Sequence, residues 1–126
     1  MYIVLYGTQE DYQNVGLYLK NCELQLFTRT ETLISAAAKR IPDAVFVTRK
    51  SAAGMEGVIA VKKILPEVPV AWFSSDRDFA PQAYRMFTEY FTTIPISQEK
   101  IFAALKRCGL LQNLIEKNEK ADIMEI

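Results

Sequence analysis

Short apolar runs alternate with amphipathic stretches along most of this chain. Tyr2-Ile3-Val4-Leu5-Tyr6 is apolar throughout and is closed by Gly7, the pattern of a buried strand. Thr8 follows with Asp11 three residues on, a spacing that predicts a capping box at a helix start. Tyr12, Val15, Leu17, Tyr18 and Leu19 then recur at roughly helical intervals. Leu24-Gln25-Leu26-Phe27 predicts a second strand. Thr30 or Thr32 is placed to cap a second helix carrying Leu33, Ile34, Ala37 and Ile41, which Pro42-Asp43 stops. Ala44-Val45-Phe46-Val47 is continuous and apolar, as a strand covered on both faces should be.

The second half repeats the alternation. The spacing predicts a helix from Met55 to Leu65, with Val58, Val61, Ile64 and Leu65 on one face and Pro66 at its end. A fourth strand spans Val68 to Phe73. A fourth helix starts at Asp78 or a neighbour and runs through Tyr84 and Phe87. Tyr90-Phe91-Thr92-Thr93-Ile94 is the fifth strand, and Ser97 caps a last helix facing inward through Ile101, Leu105 and Cys108. Five strands alternating with five helices predict a doubly wound α/β sandwich of three layers, with a parallel five-stranded sheet between helices. Gly109 ends the last helix. The domain is therefore expected to span residues 1–109. Leu110, Leu111, Leu114 and Ile115 form a second apolar stripe before the charge-rich 116–120 stretch. Residues 110–126 read as a helical linker toward an effector domain or partner chain, or as a helix folded back on its own domain.

Composition narrows the chemistry. The chain is 126 residues long, the usual size of one domain. Fifteen basic residues balance fifteen acidic ones, so direct nucleic-acid contact by this segment is not expected. Histidine is absent, which removes the commonest acid–base catalyst and metal ligand. Thr48 and Ser74 could be nucleophiles, but no histidine can activate them, so no enzymatic activity is expected. Cys22 and Cys108 read as reduced, buried thiols, and no metal or cofactor is expected. The N-terminus has no basic leader and no run long enough to span a membrane, which makes the cytoplasm the expected location. Trp72 falls inside a strand and reads as core. Phe79, Tyr84, Phe87, Tyr90 and Phe91 read as packing, with one or two exposed at an interface.

Ala53-Gly54-Met55-Glu56-Gly57 follows the third strand, and Gly54-Met55-Glu56-Gly57 in this order of elements resembles the receiver domain of bacterial two-component response regulators over residues 1–108. Ser74-Ser75-Asp76-Arg77-Asp78-Phe79-Ala80, Ala83-Tyr84-Arg85, Tyr90-Phe91 and Ile94-Pro95-Ile96 resemble receivers that precede LytTR-type DNA-binding domains. The resemblance implies a flavodoxin-like sheet of order 2-1-3-4-5. It also implies a phosphoryl site built from an acidic pair holding Mg²⁺, an acceptor aspartate, a hydroxyl and a lysine. Here the acidic pair falls on Tyr6-Gly7 or Gly7-Thr8, and the acceptor on Thr48 or Arg49. The lysine falls on Ile94, beside a retained Pro95, and the switch aromatic on Phe91. Only the hydroxyl survives, as Ser74. Losing metal ligands, acceptor and cation together removes the electrostatics that phosphoryl transfer needs.

The resemblance therefore implies an atypical receiver that regulates transcription by protein contact and is not phosphorylated. Glu10 and Asp11 are expected to serve the helix dipole rather than a displaced metal site. Arg49 either fills the vacant pocket with a permanent charge or is a solvated loop residue. A homodimer through the fourth helix, fifth strand and fifth helix is implied, with Arg77, Gln82, Arg85, Met86, Lys100 and Lys106 as candidate contacts, and a DNA-binding domain could follow residue 126. The alternative is a flavodoxin-like mononucleotide-binding electron carrier, suggested by Tyr6-Gly7-Thr8-Gln9 after the first strand. Glu10 and Asp11 would repel the phosphate there.

Overall fold

The structure is a computed structural model and describes residues 1–111. Leu114, Ile115 and the 116–120 charge run lie outside the described residues. Five parallel strands form one sheet: β1 (Tyr2–Tyr6), β2 (Glu23–Phe27), β3 (Ala44–Val47), β4 (Val70–Ser74) and β5 (Tyr90–Thr93), in the order β2-β1-β3-β4-β5. Between and after them run α1 (Gln9–Gly16), α2 (Thr30–Lys39), α3 (Ser51–Ile64), α4 (Ala80–Arg85) and α5 (Gln98–Arg107). This is the predicted doubly wound sandwich with the predicted strand order.

Alternation along each strand divides the core in two. Ile3, Leu5, Phe46 and Phe73 face α1 and α5, where Val15, Ile101 and Leu105 meet them. Val4, Val45, Val47 and Trp72 face the opposite layer, where α2, α3 and α4 contribute Leu33, Val58, Val61 and Ala83. Each fully buried large side chain of this kind stabilises the fold by about 1.5–3 kcal/mol. Trp72 is fully buried and packs against the rings of Phe79 and Phe91 at 5.5 and 5.2 Å.

Several boundaries differ from the sequence reading, each for a local reason. The third helix starts at Ser51, four residues before Met55, so the Gly54/Gly57 pair lies inside it. Both glycines face the sheet. A Cβ on Gly57 would stand 2.5 Å from two carbons of the Tyr6 ring, and one on Gly54 would overlap the Arg49 carbonyl oxygen. The glycines weaken the helix locally but let α3 approach the sheet closely. Neither Thr30 nor Thr32 caps α2. Its N-cap is Arg29, and Thr32 Oγ1 instead donates to the Arg29 carbonyl at 3.0 Å. The first helix stops at Gly16, which leaves Leu17 61 % exposed while Leu19 turns into the core. The fourth strand begins only at Val70, after Pro69.

The fourth helix is shorter than predicted. A 3₁₀ turn over Arg77–Phe79 precedes it, and Asp76 rather than Asp78 caps that turn by accepting from Asp78 N–H at 2.8 Å. The helix ends before Phe87, whose φ of 56° is left-handed. Ser97 caps α5 as expected, and Gly109 (φ 76°) closes it by letting Leu110 N–H reach the Leu105 carbonyl at 2.8 Å. Leu110 is buried against the α1/α5 half of the core. At the foot of the sheet, Lys62 Nζ donates to both carboxylate oxygens of Glu89 at 2.5 and 2.8 Å, and Glu89 also accepts from Val70 N–H at 2.9 Å. No helix among the described residues is long and apolar enough to cross a membrane.

Candidate functional site

Strand register gathers the candidate residues at the carboxyl ends of the strands. Tyr6 lies opposite Val47, and Ser74 lies opposite Thr93. Gly7, Thr48, Ser74 and Ile94 therefore follow on neighbouring strand ends. Because α1 leaves on one face of the sheet and α3 on the other, a crevice opens between their connections. A cavity of about 570 Å³ occupies it, lined among others by Asp11, Asn14, Arg49, Lys50, Ile94 and Pro95. The Ile94–Pro95 peptide bond is cis.

The floor of this crevice is a closed hydrogen-bonded group. The predicted capping box forms: Asp11 N–H donates to Thr8 Oγ1 at 3.2 Å, and Thr8 N–H donates to Asp11 Oδ2 at 3.1 Å. Thr48 completes it, since its hydroxyl donates to the same Asp11 oxygen at 2.9 Å. Thr48 is buried, and its backbone N–H donates to the Tyr6 carbonyl at 2.9 Å. Gly7 is required beside it, because a Cβ there would overlap Thr48 Oγ1. The sequence assigned Asp11 to the helix start alone. Its bond to Thr48, 37 residues away, is tertiary and carries no sequence signal.

The other members of the expected site are diverted. Arg49 turns across the β1 end, donates from Nη2 to the Thr28 carbonyl at 2.8 Å, and places its guanidinium 5.8 Å from the Tyr6 ring centroid. Its Nε is buried without an acceptor among the described residues. Ser74 is buried, and its hydroxyl is used twice by Asp76: it donates to the carbonyl at 2.8 Å and accepts from N–H at 3.0 Å. Ile94 and Pro95 form an apolar wall. Phe91 packs edge-on against Trp72. Ser51, at the start of α3, has a left-handed φ of 58° and donates its N–H to Ser75 Oγ at 3.0 Å.

A divalent cation does not fit this arrangement. It would need carboxylates at the positions of Gly7 and Thr8, and Asp11 Oδ2 beside them already accepts two hydrogen bonds. Among the described residues no group of three or more acidic, cysteine or histidine side chains gathers to hold a metal.

Away from the crevice, the candidate contact residues divide. Arg77, Arg85 and Lys106 are exposed. Met86 packs partly against the α2/α3/α4 half of the core, and Gln82 Oε1 is buried without a partner among the described residues. Lys100 is tied down, donating from Nζ to the carbonyls of Thr93 and Pro95 at 2.6 and 3.0 Å. The same side of the molecule exposes aromatics: Tyr84 by 86 % and Phe87 by 82 % on and after α4, and Phe102 by 38 % on α5.

No family model matches the sequence, and no curated protein matches it at a significant level. Solved structures do match. NtrX from Brucella abortus, in complex with ADP, is 21% identical with a TM-score of 0.71 over 96% of this chain, which spans only 28% of that protein's chain. The response regulatory domain of protein mrkE from Klebsiella pneumoniae has a TM-score of 0.73 at 12% identity, covering 93% of this chain and 99% of that one. A response regulator receiver domain protein from Clostridium thermocellum has a TM-score of 0.70 at 18% identity, covering 90% and 96%. The fold is thus that of response-regulator receiver domains.

Proposed function

We propose that this chain is a receiver module of a signalling protein that acts through protein contact and takes no phosphoryl group. The observation that carries this reading is the Thr48–Asp11 hydrogen bond: a buried hydroxyl stands just beyond β3, and it engages the Asp11 carboxylate. Phosphoryl transfer needs a carboxylate nucleophile, a bound metal and a cation on the transferring oxygens. Thr48, the Gly7/Thr8 pair and Ile94 supply none of these. Arg49 holds its charge against Tyr6 and Thr28, bracing the β3–α3 connection in one arrangement.

Output in this reading passes through the α4–β5–α5 side, as a homodimer centred on Tyr84, Phe87 and Phe102 with Arg77, Arg85 and Lys106 at its margin. The exposed aromatics support it, because large rigid apolar side chains anchor interfaces. The effector in this reading is a DNA-binding domain of LytTR type elsewhere in the same polypeptide, which rests on the resemblance of residues 74–96 to receivers that precede such domains. A mononucleotide carrier is disfavoured, since Glu10 and Asp11 line the crevice where a flavin phosphate would bind.

Mg²⁺ with beryllofluoride tests the reading, followed by sedimentation and Trp72 fluorescence. The expected result is no change in either signal, with a dimer present from the start. A saturable response would overturn it.

A further inference from the structure

The crevice presents two charged walls that do not pair with each other. One wall is the first turn of α1, with Glu10 and Asp11. The other is the β3–α3 connection, with Arg49 and Lys50. No salt bridge joins them among the described residues, where the ion pairs are Arg29–Glu31, Arg40–Glu23 and Lys62–Glu89. Glu10, Asn14 and Lys50 have no hydrogen-bond partner among the described residues, and Arg49 retains a buried Nε–H with no acceptor. A third side is apolar, made by Leu17, Ile94, Pro95 and Ile96.

A simple anion entering this space meets two carboxylates, and a simple cation meets two basic side chains. Only a molecule bearing both charges finds a complement on each wall. We infer that the crevice is a binding site for a small organic zwitterion of the α-amino-acid class with an apolar side chain. Its ammonium group faces Glu10 and Asp11, its carboxylate faces Lys50 on the Arg49 side of the crevice, and its side chain lies against Ile94 and Pro95. The volume of about 570 Å³ falls within the range of small-molecule pockets and exceeds what one amino acid needs. The inference rests on the reading that no phosphoryl chemistry occurs here, and it names an input that could replace phosphorylation.

The test is an amide NMR titration of the 126-residue protein with leucine and phenylalanine. N-acetyl and amide derivatives of each remove one charge at a time, and inorganic phosphate supplies the anion alone. The free amino acids are expected to shift the amides of Asp11, Asn14, Lys50 and Ile94 saturably, and each capped derivative to bind at least about tenfold more weakly. Lys50→Gln and Glu10→Gln, both at exposed positions, are expected to weaken binding about fivefold with the melting temperature unchanged. No shift from any free amino acid at about 10 mM overturns the inference. Equal binding of phosphate or of a capped derivative also overturns it, because the crevice would then read a single charge. Adding Mg²⁺ and beryllofluoride to the same sample reports separately on the phosphoryl reading, so the two can fail independently.

Discussion

Two regions of this molecule are built in opposite ways. At the floor of the strand-end crevice the polar groups satisfy one another. Thr8, Asp11 and Thr48 satisfy one another, Arg49 is held to Thr28 and Tyr6, and Gly7 and Gly57 leave no room for another side chain. At the α4 edge the reverse holds. Gln82 Oε1 and Thr88 Oγ1 are buried without partners among the described residues, while Tyr84 and Phe87 stand in solvent. Buried polar atoms without partners are costly, and so is a left-handed aromatic residue. The contrast separates a region closed by tertiary hydrogen bonds from one that exposes large aromatic side chains. In the reading proposed above, the first is the input end of the domain and the second its output face.

The contrast can be broken most sharply at the rim. Gly57→Val would drive a branched side chain into the Tyr6 ring and is expected to cost about 3 kcal/mol in urea unfolding. A loss below about 1 kcal/mol would mean that Tyr6 has space to turn and that the rim is not tightly fixed. Thr48→Val removes the donor to Asp11 while keeping the shape, with an expected cost of about 1–2 kcal/mol. A neutral result would show that Asp11 is equally well served by water. At the α4 edge the sign reverses. Phe87→Gly relieves the left-handed backbone at an exposed position and is expected to gain about 1 kcal/mol while abolishing the self-association proposed above. Loss of stability there would erase the contrast.

The last effect is confined to alkaline pH and concerns Cys108, near the foot of the sheet. Burial, and then the negative charge of Glu89, push its thiol up from 9.0 to about 12. A pKa raised on folding means that the contribution is complete below pH 9 and is lost as pH climbs from 9 toward 12. The stability advantage of the native chain over Cys108→Ala is therefore expected to shrink across that interval. A constant difference would show that the thiol is more accessible than its burial suggests.

The sequence made the local features legible. The Thr8–Asp11 box and the Gly109 cap are read within three or four residues, and the apolar strand runs announce themselves. The start of α3 was hidden because Lys50, its N-cap, makes no side-chain bond, and two glycines in its first half look like a loop. Their role appears only once Tyr6 and Trp72 are beside them. The site was legible as a set of substitutions and illegible as a structure. Arg49 looked equally like a pocket charge or a solvated residue, because its acceptor belongs to Thr28, at the far side of β1. Tyr84 and Phe87 have the spacing of packing residues, but α4 has only six residues and buries Ala83 alone.

The overlap between a side chain at position 7 and Thr48 Oγ1 couples any introduction of acids at the two positions. Introducing an acid at Gly7 first collides with Thr48. Replacing Thr48 by aspartate first sets a second carboxylate against Asp11, with no cation to hold them together. Each single step is worse than the starting point, and because the two side chains would touch, their effects are not expected to add. The same close approach that closes the crevice floor thus constrains sequence change, and a side chain at position 7 is admitted only where residue 48 is made smaller.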